Sequence, residues 1–149
     1  MIYTDKTKKA MKFCYEAHKG QVDKTGVPYV FHPFHVAEQM TDEATTVVAL
    51  LHDLVEDTEY TLEDIATLGF GQEIVDAVAL MTHEDGVPYL DYVARLKSNP
   101  LARAVKLADL VHNSDLSRLG KVDDETKRRL EKYKKAVAIL ESKDEQAQK

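Results

Sequence analysis

The stretch ALLHDLVEDT, residues 49–58, places four side chains that can do chemistry in an otherwise apolar segment: His52, Asp53, Glu56 and Asp57. Residues four apart lie on the same side of a helix, so this spacing predicts two neighbouring pairs of polar groups on one face. An imidazole and three carboxylates held together can bind a metal ion or move protons. The segment is therefore a candidate metal or acid–base site.

The distribution of charge along the chain favours a metal over ion pairs. Residues 25–94 contain fourteen Asp or Glu and no Lys or Arg. Burying several carboxylates without a cation is costly, and a divalent metal held with help from the histidine would remove that cost. Ion pairs with residues distant in sequence are the alternative, and Lys106 is one candidate partner.

Two further stretches supply possible ligands for the same metal. FHPFHV contains His32 and His35 three residues apart, and VKLADLVHN contains Asp109 with Asn113 four residues on. Nitrogen and carboxylate ligands suit manganese, iron or zinc. Each stretch alone has an ordinary alternative, because His32 could simply start a helix and Asp109 could pair with Lys106. Together they predict a site built from three helices.

Apolar residues recur at helical spacing along the chain, and no run alternates with a period of two over the length of a strand. The sequence therefore predicts an all-α fold, a single compact multi-helix domain over residues 1–149 whose tail frays from about residue 143. A capping-box pattern, TLED, marks a helix start at Thr61. The predicted helices are Ile2 to about Lys19, Tyr29 to about Met40, Glu43 to Asp57, about two turns from Thr61, one through Ile74 and Leu80, one each from Pro88 and Pro100, and about Asp124 to Glu141.

Composition excludes several classes of protein. Hydrophobic residues make up 44% and charged residues 31% of the chain, as in ordinary soluble domains, and no apolar run approaches the length of a membrane span. A net charge of −6 argues against nucleic acid or an anionic membrane as the main partner. The single cysteine, Cys14, cannot form an internal disulfide, and its helical, apolar-flanked position predicts a buried thiol, which favours a cytoplasmic protein.

The motifs resemble those of the HD-domain metal-dependent phosphohydrolases. More narrowly, they resemble the hydrolase domain of RelA/SpoT-type alarmone enzymes and their stand-alone small alarmone hydrolases. The similarity rests on HD followed by ED at 52–57, on GVPYVFHP before it at 26–33, and on VKLAD with HN after it at 105–113. It extends over nearly the whole chain and implies an HD-type fold.

This resemblance implies a reaction and a role for each matching residue. The implied metal ligands, with manganese the usual ion, are His32, His52, Asp53 and Asp109. Glu56 and Asp57 match an acidic pair that positions and deprotonates a water and later protonates the leaving oxygen. The implied reaction removes pyrophosphate from the 3′ position of ppGpp or pppGpp, a small phosphorylated nucleotide. The implied substrate contacts are Lys24, Thr25, Tyr29 and Asn113.

Two positions depart from the family pattern. Asp23 stands where many members have an arginine that packs on the base, and Asp115 stands where a basic residue is frequent. Guanine versus adenine preference is therefore left open, as is the oligomeric state. The alternatives are an HD nucleotide phosphohydrolase with another substrate and a non-catalytic metal- or nucleotide-binding sensor. The long members also carry a synthetase domain after the HD domain, whereas this chain ends at Lys149, so hydrolysis alone is expected.

The other histidines and the basic run have less specific predicted roles. We expect His35 to be structural or to lie at the rim of the site, and His18 and His112 to pack helices or bond to a loop. We expect His83 at the surface. The charge run DDETKRRLEKYKKA, residues 123–136, is typical of a solvated helix face.

Overall fold

The computed structural model describes residues 1–142, which form a helical fold with a short 3₁₀ turn at Leu116–Arg118. The all-α prediction is confirmed for these residues, which contain no strand and one isolated antiparallel bridge between Val22 and Pro28. The predicted frayed tail from about residue 143 lies outside the described residues. The helices are α1 Asp5–His18, α2 Phe31–Glu38, α3 Glu43–Leu51, α4 Leu54–Asp57, α5 Leu62–Thr67, α6 Gln72–Met81, α7 Tyr89–Leu96, α8 Pro100–Asn113 and α9 Asp124–Glu141.

Side chains fix the starts of several helices. Thr4 caps α1, and Thr61 and Asp64 form a capping box at α5, as the TLED pattern predicted. Asn99 caps α8, whose first residue is Pro100. Each cap gives a partner to a backbone N–H that the helix leaves unpaired, which stabilises by about 1 kcal/mol. The helices that carry functional residues therefore begin at defined positions.

Helix α3 lies at the centre of the fold. Every side chain from Val47 to Leu51 is fully buried, and α3 packs against α1, α2, α6 and α8. A helix that is apolar all round belongs in a core. Among the described residues, no helix combines the length and the apolar composition needed to cross a membrane. Because α2 and α8 both lie on α3, polar groups at its C-terminal end meet polar groups from these two neighbours.

The predicted continuous helix from Glu43 to Asp57 is wrong at one point. Helix α3 ends at Leu51, the chain turns at residues 52–53, and α4 begins at Leu54. The cause is local: the His52 ring bonds through Nδ1 to the carbonyl oxygen of Ala49 at 2.5 Å. In a continuous helix that oxygen would accept from the backbone N–H of residue 53. The break directs His52 into the core while Glu56 stays accessible to solvent.

Candidate active site

Three buried side chains from three elements converge at the end of α3. His32 comes from α2, His52 from the turn after α3, and Asp109 from α8. One ligand atom from each of the three lies within 4.8 Å of the others. His32 Nε2 is 2.8 Å and His52 Nε2 is 3.5 Å from Asp109 Oδ1. The structure thus brings together three of the four predicted metal ligands as a compact group.

Asp53, the fourth predicted ligand, borders this group. Its Oδ1 lies 3.2 Å from His52 Nε2 and its Oδ2 lies 3.8 Å from His32 Nε2. The Tyr29 hydroxyl donates a hydrogen bond to Asp53 Oδ2. Burial, followed by the nearby Asp53 charge, raises the pKa of Tyr29 above its ordinary value of 10, so the hydroxyl keeps its proton. Tyr29, predicted as a substrate contact, therefore also orients a candidate ligand.

The two candidate histidine ligands are oriented by their second ring nitrogens. His52 Nδ1 bonds to the Ala49 carbonyl, so its Nε2 faces the carboxylates. His32 Nδ1 lies 2.7 Å from Nδ1 of His112, whose ring stacks on His32 at 4.9 Å between centroids. Burial lowers the pKa of His112 to about 4, so this imidazole is neutral and its Nδ1 can accept a hydrogen bond from the Nδ1–H of His32. Such outer contacts commonly fix the tautomer of a metal-binding histidine.

The carboxylates around His52 favour a cation at this site. His52 Nε2 is buried and makes no hydrogen bond among the described residues, although two carboxylates lie within 3.5 Å. Burial lowers the pKa of His52, but Asp53 and Asp109 outweigh it and raise the pKa to about 9. Without another cation the ring therefore takes up a proton at neutral pH. A divalent ion fits the same position, because two imidazole nitrogens and carboxylate oxygens are ligands such ions accept.

Lys106 and Asn113 also form hydrogen bonds with the Asp109 carboxylate. Lys106 Nζ donates to Asp109 Oδ2 at 3.0 Å, and Asn113 Nδ2 donates to Oδ1 at 3.1 Å. Burial raises the pKa of Asp109, but the Lys106 charge and the contacts with His32 and His52 together outweigh it and hold the pKa well below its usual value. The Lys106 ammonium also lies over the rings of Tyr89 and Tyr92, at 5.7 and 5.4 Å. The ion pair with Lys106, raised as an alternative to metal binding, exists on the oxygen that faces away from the histidines.

Glu56 and Asp57 lie on α4, directly after His52 and Asp53, and line a cleft of about 750 Å³. Both carboxylates reach solvent, yet partial burial raises the pKa of each above its ordinary value, and the Asp53 charge adds to the rise. Glu56 Oε1 accepts a hydrogen bond from the backbone N–H of His83. A raised pKa brings a carboxylate closer to the range in which it can both accept and donate a proton, as a general acid–base must.

The predicted substrate residues line two neighbouring cavities. Lys24, Thr25 and Asn113 line one of about 190 Å³. Thr25 and Tyr29 line the other, of about 540 Å³, which also reaches His32. The four residues are thus brought to one side of the candidate metal centre.

Three residues that the sequence interpretation missed line the smaller cavity: Arg118, Arg129 and Tyr133. Arg129 and Tyr133 belong to the run assigned to a solvated helix face. Their four-residue spacing on α9 was the available signal, because it places both on one side of the helix. Arg118 follows the HN motif after a short 3₁₀ turn, and no motif indicated that it turns toward the cavity.

The other histidines differ partly from expectation. His35 stacks on His112 with ring centroids 3.9 Å apart and lines the larger cavity, in agreement with a rim position. His18 is buried and bonds through Nδ1 to Gln21 of the following loop at 2.9 Å. His83, expected at the surface, is only partly exposed, because its ring stacks on Tyr92 at 4.5 Å and bonds to the Val87 carbonyl. The His83 backbone is also a partner of Glu56, which anchors this loop at the site.

Comparison with protein families identifies the family of this chain. The sequence model of the HD domain matches residues 10–104, which include the histidine–aspartate pair at 52–53. The chain belongs to the HD domain family. Asp109 lies five residues beyond the matched segment, yet the fold of α8 returns it to the pair.

Similar proteins are named for reactions of guanosine nucleotides. Guanosine-3′,5′-bis(diphosphate) 3′-pyrophosphohydrolase MESH1 of Homo sapiens is 40% identical over 124 residues, which cover 73% of this chain and 68% of that protein. The GTP pyrophosphokinase of Streptomyces coelicolor is 36% identical over 130 residues, which cover 74% of this chain. The chain spans only 14% of the length of that long relative.

The fold of this HD domain chain matches a solved structure of a metazoan ortholog of SpoT, described as hydrolyzing ppGpp. The match has a TM-score of 0.80 at 27% identity and covers 97% of this chain and 90% of the other. The implied HD-type fold is therefore confirmed.

Proposed function

We propose that this chain is a metal-dependent hydrolase that removes the 3′-pyrophosphate from ppGpp and pppGpp, leaving GDP and GTP. The observation that carries the proposal is the convergence of His32, His52 and Asp109 within 4.8 Å, with Glu56 and Asp57 on the short helix α4 that directly follows His52 and Asp53. The similarity to the human pyrophosphohydrolase supports the substrate class. The buried, unpaired His52 Nε2 supports the metal dependence.

The metal we propose is manganese, held by His32, His52, Asp53 and Asp109. A divalent ion bound there would supply Lewis acidity and make water more acidic. Lys106 holds Asp109 by Oδ2, which leaves Oδ1 directed toward the histidines. The contacts of His112 and Ala49 keep the Nε2 atoms of the two histidines directed at the same point.

Glu56 and Asp57 handle the protons in this proposal. A water oxygen attacks the phosphorus attached to the 3′ oxygen, the bond between that phosphorus and the 3′ oxygen breaks, and pyrophosphate leaves. One carboxylate takes a proton from the attacking water and the pair returns a proton to the 3′ oxygen. The raised pKa of Glu56 suits both duties, because a group that titrates closer to neutral pH both accepts and donates readily.

Cations that line the smaller cavity near the candidate metal centre would hold the rest of the nucleotide. Lys24 and Arg129 line the smaller cavity, in a chain whose net charge is −6. A nucleotide with two diphosphate groups needs local positive charge, and guanidinium groups bind phosphate through paired hydrogen bonds. We therefore place the 5′-diphosphate in this cavity and the 3′-diphosphate at the candidate metal centre.

A cytoplasmic location is part of the proposal, supported by the buried, unpaired Cys14.

A substrate panel with manganese tests this function. The panel contains ppGpp, pppGpp, their adenine counterparts, dGTP and a cyclic dinucleotide, and the measured quantity is pyrophosphate release. We expect release from the nucleotides with a 3′-diphosphate and none from dGTP or the cyclic dinucleotide. A protein that binds the alarmones but releases nothing would be a sensor, and the proposal would be wrong.

A further inference from the structure

The two cavities beside the candidate metal centre share one wall. Asp23 and Thr25 from the loop after α1, and Arg118 and Leu119 from the segment after α8, line both cavities. The two segments touch, because a Cβ added at Gly120 would lie 3.5 Å from the Thr25 methyl group. A nucleoside with its 3′-diphosphate at the candidate metal centre and its 5′-diphosphate near Arg129 would lie against this wall.

Asp23 presents a fixed acceptor at the wall. Its Oδ1 accepts hydrogen bonds from the Thr25 backbone N–H at 2.8 Å, the Thr25 hydroxyl at 2.7 Å and the Val27 N–H at 3.1 Å. These bonds lower the pKa of the Asp23 carboxyl, with the Thr25 hydroxyl contributing most, so the group is charged. Within residues 1–142, no hydrogen bond involves Oδ2. The loop therefore holds one oxygen of Asp23 and leaves the other for a ligand.

Arg118 presents a fixed donor at the same wall. Its Nη1 donates to the carbonyl oxygen of His112 at 2.7 Å, and its positive charge contributes to the lowered pKa of Asp23. The turn that carries Arg118 is itself anchored, since Asp115 accepts from the Ser117 N–H at 2.9 Å. The remaining N–H groups of the guanidinium have no protein acceptor in the described part of the chain. One edge is thus held by the protein while the others can reach a ligand.

A carboxylate and a guanidinium at one wall are complementary to guanine and not to adenine. The pairing edge of guanine has an acceptor, O6, beside two donors, N1–H and the 2-amino group. Arginine donates well to O6, and a carboxylate accepts from neighbouring donors. Adenine has a donor at position 6 and an acceptor at N1, so the same orientation would bring like groups together at both contacts.

We propose that Asp23 and Arg118 recognise the base and make this enzyme selective for guanine nucleotides, with Asp23 accepting from N1–H and the 2-amino group and Arg118 donating to O6. This inference deepens the proposed function and rests on its placement of the nucleotide. It gives Asp23, which departs from the family pattern, a role in the choice of base. It also assigns Arg118 to a contact that the sequence did not suggest.

The test uses the full chain with Mn²⁺ and three substrates: ppGpp, its adenine counterpart and its inosine counterpart, which lacks only the 2-amino group. Pyrophosphate release gives kcat/KM, and calorimetry gives Kd for the same three nucleotides. We expect wild-type protein to prefer guanine over inosine and inosine over adenine. Asp23→Asn keeps the Oδ1 acceptor that holds the loop and turns Oδ2 into a donor group. Arg118→Gln removes the guanidinium.

Each variant should reduce the guanine-to-adenine ratio by roughly 5-fold to 150-fold, the usual range for a lost base contact of this type. Arg129→Gln is the matched control. It removes a guanidinium from the same cavity, but it should lower kcat/KM for all three substrates by one common factor. Melting temperatures of the variants establish that each is folded. Because both variants test one pair, a fold defect in one leaves the other to decide.

The outcomes separate this inference from the proposed function. If pyrophosphate is released but the wild type treats the three bases alike, or both variants keep the wild-type ratio, the base assignment is wrong and the hydrolase proposal stands. If no pyrophosphate is released from any of them, yet guanine binds preferentially and the variants abolish that preference, the base assignment stands and the hydrolase proposal is wrong.

Discussion

Replacing Glu56 by Gln tests the acid–base role without disturbing the site. Glu56 Oε1 accepts from the His83 N–H, and the amide oxygen of glutamine can accept the same bond. The side chain reaches solvent in the cleft, so we expect a change in unfolding free energy within about 0.5 kcal/mol. What is lost is the ability to take a proton from water.

The expected loss in turnover follows from that role. A positioned general acid–base contributes roughly 10²–10⁴-fold to the rate, or about 2.7–5.4 kcal/mol in activation free energy. We therefore expect kcat of Glu56→Gln to fall by that factor, while manganese content and nucleotide Kd stay near wild type. The wild-type rate should also fall as pH drops through the raised pKa of Glu56, since the base form is present above that pKa and lost below it.

The assay is pyrophosphate release with elemental analysis and calorimetry on the same preparations. Glu59→Gln is the matched control, because Glu59 lines the same cleft and should keep wild-type turnover. A Glu56→Gln protein with full manganese content and a kcat within about threefold of wild type would refute the assigned role. So would an equal loss in the Glu59 control, because the effect would then belong to the charge of the cleft.

The remaining predictions concern the metal, its support and the core. Asp53→Ala should abolish stoichiometric manganese binding; elemental analysis that finds one manganese per chain would rule out Asp53 as a ligand. Lys106→Met should lower the unfolding free energy of metal-free protein by about 3–5 kcal/mol, since it removes the ammonium group paired with Oδ2 of the buried Asp109 carboxylate. Lys132→Met, which removes an ammonium 4.7 Å from the Tyr89 ring at the surface, should cost less than about 1 kcal/mol, and equal losses in denaturant titrations would contradict the pairing. Cys14 should resist alkylation at pH 8 in folded protein and react on unfolding, because burial raises the pKa of its thiol to about 12; rapid labelling of native protein would show that the core opens.

Helix type and most helix positions could be predicted from the sequence because local signals determine them. The helix over Asp124–Glu141 was predicted with the observed ends, and the TLED capping box was recognised from its residues alone. The break after Leu51 was not predicted, because it depends on where one histidine ring points. Apolar periodicity continues through residues 52–53 whether or not the backbone turns there.

The candidate site divides in the same way. His52, Asp53 and Asp109 stand in motifs that signal chemistry, so sequence placed them correctly side by side. The support for the site comes from contacts between distant segments that no local pattern reveals. His112 meets His32 across 80 positions of sequence, and the backbone of His83 meets Glu56 across 27. Such contacts exist only once α2, α8 and the loop after α6 have packed around α3.

The most direct test of the hydrolase account is to run the reaction on ppGpp with Mn²⁺ in ¹⁸O-labelled water and identify the labelled product. Attack of water on the phosphorus next to the 3′ oxygen predicts GDP and pyrophosphate as products, with the label in the pyrophosphate and none in the 3′ hydroxyl of GDP. Label in the 3′ hydroxyl, or release of single phosphates in place of pyrophosphate, would contradict it.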